Sequence, residues 1–182
     1  MPGAFVDSTL REFGSLKRAA ERAIAQIPDD GFFAALDAES NSIAMLVKHI
    51  AGNMRSRWTD FLTTDGEKPD RRRDIEFVIG PGDTRAALLD HWEHSWKILF
   101  GTLEALGPAD LERTVTIRAE PYTAVGAVQR SLAHYSDHIG QIILLAKHYA
   151  GTKWQTLSVP RGKSDEFTAA FTAKQKEKAG KL

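Results

Sequence analysis

Residues 130–151 read RSLAHYSDHIGQIILLAKHYAG, and the fold turns on what kind of element this stretch forms. Leu132, Tyr135, Ile139, Ile142, Ile143, Ala146 and Tyr149 recur at intervals of three and four, the spacing that gathers side chains on one face of an α-helix. Val125 and Val128 extend the same stripe upstream, Thr123 offers an N-cap, and Gly151 offers a C-terminal stop. At about 1.5 Å per residue such a helix is roughly 40 Å long. Its stripe stays in water unless other apolar faces cover it, so the rest of the chain has to supply them.

Three further segments do so. From Asp7 to Gln26, Leu10, Phe13, Leu16, Ala20 and Ile24 keep helical spacing until Pro28-Asp29-Asp30-Gly31 interrupts it. Ser40-Asn41-Ser42 can cap a second helix carrying Ile43, Leu46, Val47, Ile50, Met54, Trp58, Phe61 and Leu62, which the polar run TTDGEKPDRRRD ends near Thr63. Pro81-Gly82-Asp83 supplies a turn and an N-cap for a third, where Leu88, Trp92, Trp96, Leu99, Leu103 and Leu106 hold the spacing up to Gly107-Pro108. In RTVTIRAEP (113–121), Val115 and Ile117 alternate with polar residues, which predicts a short extended connection before the last helix.

Four amphipathic helices without a strong strand pattern bury their stripes most simply against each other, so the predicted fold is all-α, a four-helix bundle. The linkers after the second and third helices exceed the commonest helix connections, which allows a crossover. The expected organisation is one domain over 1–182, with its core at about 7–155 and a lysine-rich tail, 172–182, that is frayed and solvated.

Composition excludes several chemistries. Lys plus Arg and Asp plus Glu both number 24, so no surplus of positive charge draws the chain to nucleic acid or an anionic membrane. No cysteine is present, which removes disulfides, protein thiolates and Cys-type zinc sites. No G-x-S-x-G occurs either. With no basic-then-apolar start and no apolar run of the roughly 20 residues that span a bilayer, the expectation is a cytoplasmic protein without a membrane partner.

What remains is imidazole and carboxylate. His134 and His138 lie four residues apart, so on a helix both rings project from one face within reach of one ion. Two partly buried rings satisfied by hydrogen bonds would give the same spacing, and the pair alone does not choose. His49, beside Leu46 on the stripe of the second helix, is the candidate third ligand, since catalytic zinc-type sites use three protein ligands and leave a position open. Asn53, one turn after His49, and Gln141, three residues after His138, could reach the same cavity or cap the core edge. His91 and His94 in DHWEHSWKIL read as rim or solvent residues, because Trp92 and Trp96 mark the buried face there. His148 suits a helix C-terminus better than a metal. Arg71, Arg72 and Arg73 either hold carboxylates of a ligand at the bundle mouth or pair with their own acids.

VKHIAGNMRSRWTDFLTTDGEKPDRRRDIEF (47–77), VQRSLAHYSDHIGQIILLAKHYAG (128–151) and WQTLSVPRG (154–162) together resemble the DinB/YfiT-like superfamily, within it a subgroup of uncharacterised small bacterial proteins. The resemblance covers roughly Ser40 to Gly162. It implies a four-helix bundle with a crossover connection, and a divalent metal held by a histidine of the second helix and an H-x-x-x-H pair of the last, here His49, His134 and His138. It also implies dimers, and a range of activities: transfer of low-molecular-weight thiols to electrophiles, thiol-dependent isomerisation and metal-dependent hydrolysis. Three neutral imidazoles leave an ion its charge and an open position, so water or a thiol can ionise there. Imidazole suits zinc, nickel, copper and iron, with zinc and nickel foremost. The expectation is therefore a metal-dependent enzyme acting on a small electrophile. Its alternative is a non-catalytic, metal-stabilised bundle that dimerises as a stress-related interaction protein.

Overall fold

The computed structural model describes residues 3–179, and the chain in it is mostly helical. The helices are α1 (Ala4–Ile24), α2 (Asp29–Phe33), α3 (Ile43–Trp58), α4 (Arg85–Ala105), α5 (Ala124–Ala150) and α6 (Ser164–Ala179). Two strands, β1 (Thr114–Ile117) and β2 (Glu120–Thr123), pair antiparallel as a hairpin just before α5. No helix among the described residues is long and apolar enough to cross a membrane.

Helix starts follow local capping chemistry. The Oγ of Ser42 accepts from the Met45 N–H, and the Oγ1 of Thr123 accepts from the Gly126 N–H, so each end satisfies a donor the helix cannot. At α4 the cap is Thr84, which accepts from Ala87 N–H, and not the neighbouring Asp83. Asp83 instead accepts from the Gly80 N–H and pairs with Lys48.

Several boundaries differ from the pattern in sequence. The break at Pro28 contains a one-turn helix, α2, whose Phe32 is fully buried. α3 stops at Trp58 rather than near Thr63, because Asp60 takes a left-handed φ of 49° and its carbonyl accepts from the N–H groups of Thr63 and Thr64. The extended connection becomes a hairpin whose turn residues, Arg118 and Ala119, have φ of 58° and 61°. Neither is a glycine or asparagine, and the turn holds because Asp65 accepts from both of their N–H groups at 2.8 Å. The tail is helical over Ser164–Ala179 and presents only exposed side chains where they are described, while residues 180–182 lie outside the described residues.

α3 packs on α4 and α5, and α1 on α5 and α4, so the four long helices close around one apolar core. Phe13, Trp58, Trp92, Trp96 and Tyr135 fill its middle with no more than 1% exposure, and Phe13 meets both Trp58 and Trp96 edge-on. Beyond α5, the chain runs back along α1, where Gln26 exchanges hydrogen bonds with the backbone of Gln155 and Arg22 donates to the Leu157 carbonyl. Trp154 packs against the core there, anchoring that return.

Candidate metal centre

His49 sits in the middle of α3, and His134 and His138 lie one turn apart on the facing stretch of α5. Contact between the two helices converges the rings. Nε2 of His134 lies 3.3 Å from Nε2 of His49 and 3.0 Å from Nε2 of His138, and all three candidate ligand atoms fall within 4.8 Å of one another. They form the one cluster of three or more potential metal ligands among the described residues.

Each outer ring is oriented from behind. Nδ1 of His49 lies 2.8 Å from Oε2 of Glu76, which comes from the short 3-10 turn at Arg73–Phe77. Burial opposes ionisation of Glu76, yet the hydrogen bonds from His49 and Arg71 hold its carboxyl below the usual carboxylate range. An ionised carboxylate only accepts, so the proton sits on Nδ1 of His49 and its Nε2 is left with a lone pair. Nδ1 of His138 likewise lies 3.2 Å from Oε1 of Gln141. Burial first, then the neighbouring His138 and His49, push His134 down to about 3, and burial lowers His138 as well.

This donor set fits a cation. With Nδ1 of His49 and of His138 protonated, two Nε2 lone pairs approach the same Nε2 of His134, and one proton there can satisfy only one of them. A divalent ion among the three nitrogens would satisfy all of them, and the orientation by Glu76 and Gln141 is the usual outer support of imidazole ligands.

Arg71 completes the support. Its Nε and Nη2 donate to the two oxygens of Glu76 at 2.9 and 2.8 Å, and its side chain is only 2% exposed. Of the arginine run, Arg71 therefore pairs with its own acids, whereas Arg73 lies over the Phe77 ring, which in turn stacks near His49. Glu76 reaches α3 at Gly52. A Cβ on that residue would lie 2.9 Å from Cδ of Glu76, so the helix face opposite the acid has to be bare.

The triad lines a cavity of about 520 Å³. Asn53 also lines it, fixed by the Tyr135 hydroxyl, which donates to Asn53 Oδ1 at 3.0 Å and accepts from Trp58 Nε1. Gln141 stands behind His138 and does not line this cavity. His91 is half-buried and faces a different cavity of about 250 Å³, His94 is exposed, and His148 is exposed in the last turn of α5.

Glu76 and Gly52 belong to the site's surroundings without being singled out by the sequence pattern, whereas Arg71 is marked there only as one of a run of three arginines. Glu76 stands 27 residues from His49 in a loop dense with acids, and nothing in its spacing marks it. Gly52 does leave a trace, a glycine inside an amphipathic helix three residues after His49.

Among curated proteins none matches the chain. Residues 2–163 match the family model described as "Protein of unknown function (DUF1572)", and over nearly its whole length the chain belongs to that family.

Proposed function

We propose that this protein is a metal-dependent enzyme in which His49, His134 and His138 hold a divalent transition ion, zinc or nickel, and that it acts on a small electrophilic substrate as a hydrolase or thiol S-transferase. The observation that carries the reading is the convergence of three Nε2 atoms whose outer rings are fixed by Glu76 and Gln141. When bound, the ion supplies Lewis acidity sufficient to ionise water or a low-molecular-weight thiol near neutral pH. The chain's own residues do the rest: Glu76 and Arg71 hold His49 in one tautomer, Gln141 turns His138, and Tyr135 fixes Asn53 at the cavity wall.

A structural ion is ordinarily closed off by its ligands. Here the three imidazoles border a cavity large enough for a small molecule, which favours chemistry over support alone. The ring of contacts among α1, α4, α3 and α5, with the long stretch between α3 and α4, supports a four-helix bundle with a crossover of the DinB-like type. Pairing as a homodimer and a cytoplasmic location belong to the same proposal and rest on the sequence alone.

Elemental mass spectrometry on untagged protein tests the reading. About one equivalent of a transition metal in the wild type, lost in His134→Ala, is the expected result. Metal-free wild type after incubation with zinc and with nickel overturns it and leaves the histidines as packed rings.

A further inference from the structure

The cavity that contains the triad is otherwise a wall of guanidinium groups. Arg57, Arg71, Arg73, Arg118 and Arg130 line it, against one acid, Asp137. Behind the wall stand two carboxylates, and they are oversubscribed. Glu76 is fully engaged by Arg71 and His49. Glu67 is shared by three arginines, with N–O distances of 3.5 Å to Arg57, 3.2 Å to Arg71 and 3.3 Å to Arg118. Even so, Nη1 of Arg57, on a side chain only 4% exposed, has no hydrogen-bond partner among the described residues. Arg130 likewise makes no ion pair among them that would neutralise it, and lies 5.9 Å from the centroid of the Tyr122 ring.

Five cations therefore stand against four acids, Asp137, Glu76, Glu67 and the exposed Asp74, which lies 3.9 Å from Arg73, in and around one cavity of a chain whose overall formal charge is zero. Segregated charge of this kind is unfavourable to the fold by itself: burial and the nearby Arg130 and Arg71 depress the Arg57 guanidinium, against the pull of Glu67. A divalent ion at the histidines would enlarge the surplus. Planar, forked donors are the groups that recognise carboxylates and phosphates.

We propose that the cavity binds a small organic oxyanion, the carboxylates or phosphate of the substrate or of its co-reactant, on Arg130, Arg118 and Arg57 beside the metal position. This rests on the preceding reading for its catalytic meaning, but the arginine site exists with or without the ion. It also names the chemical class of the molecule held there: an anionic small molecule rather than an apolar or cationic one.

Calorimetry at low ionic strength with succinate, methyl phosphate and the neutral succinamide separates the possibilities. Zinc-loaded wild type is expected to bind succinate or methyl phosphate and not succinamide, and the stronger of the two names the oxyanion. Arg130→Gln and Arg118→Gln, both at exposed positions, should each weaken that binding at least tenfold while zinc content stays unchanged. Metal-free His134→Ala should still bind the anion. Anion binding that disappears in His134→Ala and is untouched in both arginine variants would mean that the probes simply ligate the ion, and overturns the proposal, as would equal binding of succinamide. Should wild type take up no zinc yet bind succinate in an Arg130-dependent way, the metal reading fails and the oxyanion site stands.

Discussion

Two histidine pairs of this chain look alike in sequence and part company in the fold. His134 and His138 on α5 meet at 3.0 Å and are joined from α3 by His49, whereas His91 is half-buried on α4, His94 is exposed, and no third ligand among the described residues reaches them. Glu76 stands between the two regions, facing His49 on one side and bordering the cavity of His91 on the other. The difference is made by the opposing surface. Across from α5 the chain offers an imidazole oriented by a carboxylate; around His91 the described residues offer no such ring, and Asp83 and Asp70 there are already paired with Lys48 and Arg55. Histidine spacing sets which rings can share an ion, and the neighbouring element decides whether they do.

The sharpest way to break this comparison is to remove one ring from each pair. His134→Ala and His49→Ala should each abolish metal uptake, from about one equivalent to none, while His91→Ala leaves it unchanged, read by elemental mass spectrometry. Equal losses from both pairs would show that the α4 histidines contribute to the site. If the ion is catalytic, as proposed, the His49→Ala protein should also remain folded, because such an ion is lost with less damage than a structural one.

The next effect concerns the acids. Glu76→Gln removes the charge opposite a buried Arg71, so stability should fall by about 3 kcal/mol in denaturant unfolding. Metal affinity should fall roughly 10- to 100-fold, as for other outer partners of histidine ligands. On the other side, Asp83→Asn loosens the Lys48 ion pair, whose side chains are 19% and 20% exposed, and should change stability by less than about 1 kcal/mol.

Legibility in sequence follows the same division. The four long helices declare themselves because their burial repeats at helical spacing, and α5 begins at the Thr123 cap and ends at Gly151 as its pattern implies. The nearness of His49, His134 and His138 is only half legible: two lie on one helix at four-residue spacing and the third adjoins the stripe of another, but spacing does not choose between packing and ligation, and the resemblance to a family makes that choice. What is hidden is whatever depends on a loop folding back. Asp65 builds the Arg118-Ala119 turn from 53 and 54 residues away, and Glu76 reaches His49 across an irregular connection whose path no periodicity encodes. The early end of α3 has the same origin, since Asp60 turns the chain although Phe61 and Leu62 continue the apolar spacing.

Acid titration sharpens the comparison further. Burial, then His138 and His49, set His134 at about 3 in the fold, well below its ordinary value of 6.5. The unfolded chain therefore takes up the proton first, and the stability contributed by neutral His134 is present above about pH 6.5 and drains away as the pH falls toward 3. Metal-free wild type should thus lose stability between about pH 7 and pH 4, and His134→Ala should show a shallower slope in denaturant unfolding at stepped pH. Burial, then Arg55 and His94, lower His91 too, so His91→Asn should flatten the curve in the same direction but by less. Equal slopes in wild type and His134→Ala would mean that its ring is as free to protonate in the fold as in the unfolded chain.

The finest comparison places one methyl group on each of two neighbouring helices, α3 and α4. Gly52 faces Glu76, and an added Cβ would lie 2.9 Å from its Cδ, so the acid must retreat. Retreat is resisted, because Arg71 and His49 hold both carboxylate oxygens. Gly52→Ala should therefore destabilise by about 1–2 kcal/mol despite alanine's better helix propensity, and should weaken metal binding along with it. Gly101, in the interior of α4, is exposed, and a methyl group added there would meet nothing within 4 Å. There only propensity acts, and Gly101→Ala should stabilise by about 0.5–1 kcal/mol without touching the metal. The same substitution changing sign between two helices that pack on each other would locate the constraint in the approach of Glu76, and matching signs would show that the acid can shift away from α3 and that the orientation of His49 does not depend on its position.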